Sequence, residues 1–269
     1  MNFIYNRRLD FNFKLQNNID NLKLINSIKL LILNNNFIYL VKNKKKFSND
    51  ALNKDIYILI IKKEFIVNFS HLFYDAYSIN LIIQKIDEIY KDEIKDFKFN
   101  FYTLNTNFIN YYYNNIKMIA NVNCKNLVKV VTKKKKLTFK ISKDKINNLS
   151  SSEIINYIIN KFKIENYCLV VNARKIFKEY ENILGNLIYV SNKINKDEDI
   201  RSILEKDVDR KLTSLLNTIP NTLLINSYLS FTLPSFIKMF KMEITSFGNV
   251  IFIYPLNLDN KYVIIDYYH

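Results

Sequence analysis

Two β-type runs, residues 56–62 and 65–69, meet at Lys63-Glu64, and the second empties through Ser70 into His71. Three residues later comes Asp75, and from Ser78 a helical pattern carries apolar Leu81, Ile82, Ile86 and Ile89 on one face. The same alternation of strand and helix runs through both halves of the chain, which argues an α/β architecture of mixed sheets with covering helices. The hairpin places His71 at the rim of a core, directly after FIVNF and Ser70, where burial and neighbouring groups tune an imidazole for proton transfer. The chain has two histidines, and the other is His269. A lone histidine is more often structural than catalytic, so the weight given to His71 comes from its location.

The 269 residues fit one large domain or two of about 100–150 residues each, and 49% hydrophobic content supplies a buried core. No window reaches the roughly 18 uninterrupted apolar residues of a membrane span. The start MNFIYNRRLDFNF lacks an apolar core with a small-residue cleavage site, so a cytoplasmic protein without a membrane span is expected. Cys124 and Cys168 have no paired motif spacing and read as reduced, packed thiols, leaving no metal ligand set. The formal charge of +15 suggests a polyanionic partner. Asn, Ile, Lys, Phe and Tyr are over-used throughout, however, beside Gly 2, Pro 3 and Trp 0, a pattern expected of an AT-rich genome; no nucleic acid partner is expected. The dense runs at Lys44–Lys46 and residues 133–136 read as solvated loops, with a phosphorylated ligand as the alternative.

Along the chain, residues 1–16 read as extended, Asp20 caps a helix with Leu24, Ile28 and Leu31 on one face, and residues 37–42 form a strand. A helical stripe of Phe108, Ile109, Tyr112, Ile116 and Ile119 follows the His71 helix, and core packing is its default reading over base stacking. A domain boundary falls in the polar connection at 121–136, dividing the chain into 1–125 and 126–269. Beyond it come a strand at 137–141, a helix capped by Ser150-Ser151-Ser152-Glu153, and an apolar strand at 167–171 that delivers Asn172, Ala173 and Arg174. Gly185, in LGNLIYV, marks a backbone need such as a positive φ or a close approach. A helix at 197–216 and strands at 242–246, 250–254 and 262–267 complete the alternation; Ser78 reads as a helix cap.

Four separated segments together resemble one superfamily. FSHLFYDAYSINLIIQKIDEIY resembles the HxxxD motif block of coenzyme A-dependent acyltransferases, and VVNARKIFKEYENILGNLIYV is similar to the N-x-R and G-N segment of BAHD acyltransferases and condensation domains. LTFKISKDKINNL resembles the strand and helix start before that segment, and EITSFGNVIFIYPL resembles the T-S-W strand and its successor. Ala76 stands where the family has glycine, Phe247 where it has tryptophan, and Asn257-Leu258-Asp259-Asn260 about where it has a DFGWG loop.

The resemblance implies two similarly built chloramphenicol-acetyltransferase-like subdomains, each a mixed β-sheet with covering helices, with an active-site channel between them. It implies acyl transfer from acyl-coenzyme A as co-substrate to a small alcohol or amine, without a metal or a tightly bound cofactor. His71 is then the general base, Asp75 pairs with Arg174 rather than with substrate, and Thr245 or Ser246 is an oxyanion donor unless both are ordinary strand hydroxyls. Ala76, Asn172, Gly185 and Asn186 shape the site. No Gly-rich loop for the coenzyme A phosphates stands in the sequence, and no lysine is singled out for them. The alternatives are a condensation-like domain taking its donor from an acyl carrier protein, against which Ser70 stands where a second histidine is expected, and a catalytically silent basic binding or scaffold protein of the same fold.

Overall fold

The computed structural model describes residues 8–50, 52–71, 73–101, 136–142, 151–163, 167–172, 174, 181–192, 223–227, 233–242, 250–255 and 262–268. The first half builds β1 (Arg8–Leu15), α1 (Asn21–Leu33), β2 (Ile38–Val41), β3 (Ile56–Ile61), β4 (Glu64–Ser70), α2 (Ala76–Tyr90) and the short β5 (Asn100–Phe101). The second half builds β6 (Lys136–Ser142), α3 (Ser151–Phe162), β7 (Tyr167–Asn172), β8 (Ile183–Leu184), β9 (Ile188–Asn192), β10 (Leu223–Ser227), β11 (Ile237–Met242), β12 (Val250–Pro255) and β13 (Tyr262–Tyr268). The expected helices at 108–119 and 197–216, the boundary region 121–135, and Thr245, Ser246 and 257–260 lie outside the described residues.

Two mixed sheets carry the fold, as the α/β expectation required. The first has the order β11-β1-β4-β3-β2, antiparallel except for the β2–β3 pair. The second has the order β6-β13-β12-β10-β7-β9, with β10 parallel to both β12 and β7. Between them β5 pairs with β8 in parallel, so the segment after α2 touches the segment before Gly185. A division at about residue 125 leaves β11 on the far side of the boundary from the sheet it joins.

The first sheet forms around one apolar cluster, with β1 alternating toward its end and β4 buried along its length after Glu64. Phe11, Phe13 and Leu15 of β1, Phe65, Val67 and Phe69 of β4 and Ile56 and Ile58 of β3 are buried in one apolar cluster with Leu24, Ile28 and Leu31 of α1 and Ile79, Ile82, Ile83 and Ile86 of α2. The β1 alternates Asp10 and Asn12 are not part of that cluster. Asp20 caps α1 as expected, accepting from the Lys23 amide at 3.0 Å. The hairpin turn is displaced by one residue from its expected place. The register Ile61↔Glu64 leaves Lys62 and Lys63 as the turn, and Lys62 takes φ 53°, a left-handed conformation that glycine adopts at less cost.

Of the strand expected at 242–246, residues 243–246 lie outside the described residues, and β11 at Ile237–Met242 was not expected. Lys238 and Lys241 interrupt its apolar pattern, and the pairing with β1 shifts register between Lys14 and Leu15, so no period-2 signal runs through it. Packing makes the strand. Phe240 stacks on Phe13 with ring centroids 4.9 Å apart and meets Phe11 edge-on at 5.4 Å. Asp87 of α2 ties down the approach to β11 by accepting from the Ser235 amide at 3.0 Å and its hydroxyl at 2.5 Å. β10 was likewise not expected; its short run LLINS sits between two parallel neighbours, where continuous apolar residues replace alternation. Phe240→Ala should cost about 3–5 kcal/mol in urea unfolding, whereas Lys238→Ala, at an exposed position, should stay within about 0.5 kcal/mol.

Candidate active site

The site starts where β4 ends. Ser70 is the last strand residue, and its carbonyl accepts from the Phe73 and Tyr74 amides at 3.2 and 3.1 Å, turning the chain sharply at His71. Asp75 then closes the loop as the N-cap of α2, its Oδ1 accepting from the Ser78 amide at 2.8 Å. Ala76 is therefore the first helical residue and is buried. The sequence reading of Ser78 as the cap is corrected: Asp75 caps, because its carboxylate reaches the third helical amide, and the Ser78 hydroxyl is turned to other use.

That use lies in a buried polar cluster. Arg174 Nη1 and Asp75 Oδ2 form an ion pair at 2.6 Å, with both side chains 1% exposed. Arg174 Nη2 donates to Ser78 Oγ at 2.9 Å and to the Ile183 carbonyl at 2.7 Å, and Nε donates to the same carbonyl at 3.1 Å. Asp75 Oδ2 also accepts from the Leu187 amide at 3.0 Å. Ser78 Oγ accepts from the Gly185 amide at 3.0 Å and lies 2.8 Å from the Gly185 carbonyl and 3.0 Å from Asp75 Oδ1. Gly185 serves through close approach: its amide and carbonyl both meet Ser78, and its carbonyl also takes the Asp75 amide at 3.3 Å. Ser78 was missed because a hydroxyl three residues after a capping aspartate looks like ordinary helix-start chemistry.

The imidazole sits outside this charged cluster. His71 is partly exposed, and its Nδ1 lies 3.0 Å from the Tyr74 carbonyl. A carbonyl only accepts, so Nδ1 carries the proton and the neutral ring keeps its lone pair on Nε2. Burial among surrounding protein atoms holds the pKa below the ordinary value of about 6.5, against the opposing pulls of the Tyr74 carbonyl, Asp75 and the residue's own carbonyl. Asp75 faces Arg174, and the His71 carbonyl accepts from Asn186 Nδ2 at 2.7 Å. Asn172 ends β7 opposite Ile188. The structure thus brings His71, Asp75, Ala76, Arg174, Gly185 and Asn186 together. Among the described residues no group of three or more His, Cys, Asp or Glu side chains is placed to hold a metal ion, and no helix is long and apolar enough to cross a membrane.

Two mixed sheets, with a histidine loop leaving the first and an arginine closing on it from the end of a strand of the second, define the chloramphenicol-acetyltransferase-like fold shared by BAHD acyltransferases and condensation domains. Solved structures of that fold superpose on 98% of the chain. Vinorine synthase is 13% identical with a TM-score of 0.55, covered over 87% of its length. F. sporotrichioides TRI101 complexed with coenzyme A and T-2 is 10% identical with a TM-score of 0.52, covered over 91%. The first condensation domain of the CDA synthetase is 7% identical with a TM-score of 0.54, covered over 85%. At such identities the likeness establishes the fold. No protein-family model and no curated protein matches the sequence.

Two outcomes follow from the geometry. Arg174→Met strands a buried carboxylate and should cost about 3–5 kcal/mol, while Asp75→Asn/Arg174→Met should cost less than the two single changes summed, as urea midpoints of the four proteins will read. For His71 the unfolded chain binds the proton more readily than the folded one, so stability falls as pH drops below about 6.5 toward the folded value. The loss of unfolding free energy between pH 7.5 and 5.5 should be smaller in His71→Asn than in the wild type.

Proposed function

We propose that the protein is an acyltransferase that moves an acyl group from a coenzyme A thioester to a hydroxyl or amine acceptor, with His71 as general base. The observation that carries this reading is the division of labour in the HxxxD loop. Asp75 is fully engaged with Arg174, Ser78 and Leu187, and the imidazole is held by Nδ1 with Nε2 as its basic atom. The fold shared with vinorine synthase, and with TRI101 crystallised with coenzyme A, supports the donor class.

In the reaction Nε2 takes the acceptor's proton as its oxygen or nitrogen attacks the thioester carbonyl carbon. The tetrahedral intermediate carries an oxyanion, for which the Thr245 and Ser246 hydroxyls are the proposed donors. Collapse breaks the carbon–sulfur bond, and the leaving thiolate takes the proton back from the imidazolium. Ester or amide and free thiol are released, and the histidine returns to its neutral form. A pKa held down by burial keeps the base unprotonated at neutral pH. Residues 1–125 would supply the base and 126–269 the arginine and hydroxyls, with substrates meeting in a channel between the two parts and the whole working in the cytoplasm.

The likeness to a condensation domain favours a second donor, an acyl group on a carrier protein, although Ser70 stands directly before His71. Purified protein given acyl-coenzyme A, or the same acyl group on a carrier protein, with a panel of alcohols and amines should release free thiol. His71→Ala should lower that rate by about 10²–10⁴-fold. Because only the neutral ring acts as base, kcat/KM should rise with pH and level off, with its midpoint below about 6.5. No thiol release from either donor, together with no coenzyme A binding, would sink the proposal in favour of a silent binding protein.

A further inference from the structure

Segment 183–187 meets the His71 loop at both of its ends. Gly185 and Leu187 act at the far end, on Asp75 and Ser78, where they help assemble the buried ion pair. Asn186 acts at the near end: the residue is 6% exposed, and its Nδ2 donates to the carbonyl of the residue that bears the imidazole. The ring's Nδ1 lies 3.0 Å from the Tyr74 carbonyl, while the backbone of His71 itself also acts on the ring. A 2.7 Å bond from Asn186 holds the His71 carbonyl in one orientation and draws on its acceptor capacity. The Tyr74 carbonyl is then the better partner for the ring.

We propose that Asn186 is a positioning residue for His71: by engaging the His71 carbonyl it directs Nδ1–H to the Tyr74 carbonyl, and so sets the tautomer and the direction of Nε2. The effect on rate rests on the acyl-transfer reading; the effect on the ring does not. Asp75, which acts on the ring by its charge, has its carboxylate turned to Arg174.

Two histidines in the chain make the test direct. In ¹⁵N-histidine-labelled protein carrying His269→Gln, long-range ¹H–¹⁵N correlations report His71 alone. The parent should show one dominant tautomer, protonated on Nδ1, at pH values above the ring's titration. Asn186→Leu should show both tautomers, and its kcat for thiol release should fall by about 10²-fold with KM little changed. Asn186→Ser, whose hydroxyl is too short to reach the carbonyl, serves the same comparison if the leucine variant does not fold. A tautomer ratio unchanged in the folded variant overturns the proposal, even if activity falls. A shifted ratio in a protein that transfers no acyl group supports the positioning role and overturns only the reading of the reaction.

Discussion

The buried pair between Asp75 and Arg174 is the interaction on which the rest of this molecule depends. Two charges taken out of water are costly, and the arrangement holds because each donor and acceptor of the pair is met: the carboxylate by a guanidinium nitrogen, two amides and a hydroxyl, the guanidinium by a carboxylate, a hydroxyl and two carbonyls. These partners come from residues 99 apart in the chain, so the pair is formed only when the end of β7, the 183–187 segment and the start of α2 have all arrived. It is a lock on tertiary structure whose position beside His71 makes it a support for the site.

The placement separates two needs that conflict. A titrating imidazole has to stay partly open to water, while a salt bridge that orders a loop has to be closed to it. The loop places a partly exposed His71 and the buried Asp75–Arg174 pair at opposite ends of His71-x-x-x-Asp75, with one sharp turn between. The carboxylate is consumed structurally, and the imidazole meets the Tyr74 carbonyl through Nδ1. Its proton affinity is then governed by burial, which favours the neutral ring.

The two sheets are tied by strands that ignore chain order. β11 returns from residues 237–242 to pair with β1 at the start of the chain, and β8 pairs with β5 just ahead of Gly185. Both contacts frame the His71 loop, β11 through the phenylalanine cluster beneath β1 and β4, and β8 by leading into the residues that hold Asp75. Long-range pairing of this kind makes the site a property of the whole fold.

Local patterning made the strand–histidine–helix unit legible, because the apolar run of β4 and the apolar spacing in α2 are both satisfied by near neighbours. The α1 cap at Asp20 and the apolar strand ahead of Arg174 were legible for the same reason, and the resemblance of spaced motifs named the Asp75–Arg174 partnership before any geometry. Other features could not be read. Ser78 looks like a helix cap until Gly185 and Arg174 arrive from about a hundred residues away, β11 is hidden by its lysines until Phe13 and Phe11 receive Phe240, and the turn at Lys62 is decided by cross-strand register rather than by glycine. The amino-acid sequence by itself determined which polar and titratable residues stand at the strand end and the helix start. The tertiary structure decided which of them are spent on holding the loop, because only packing sets how each polar group is partnered and how far it is removed from water.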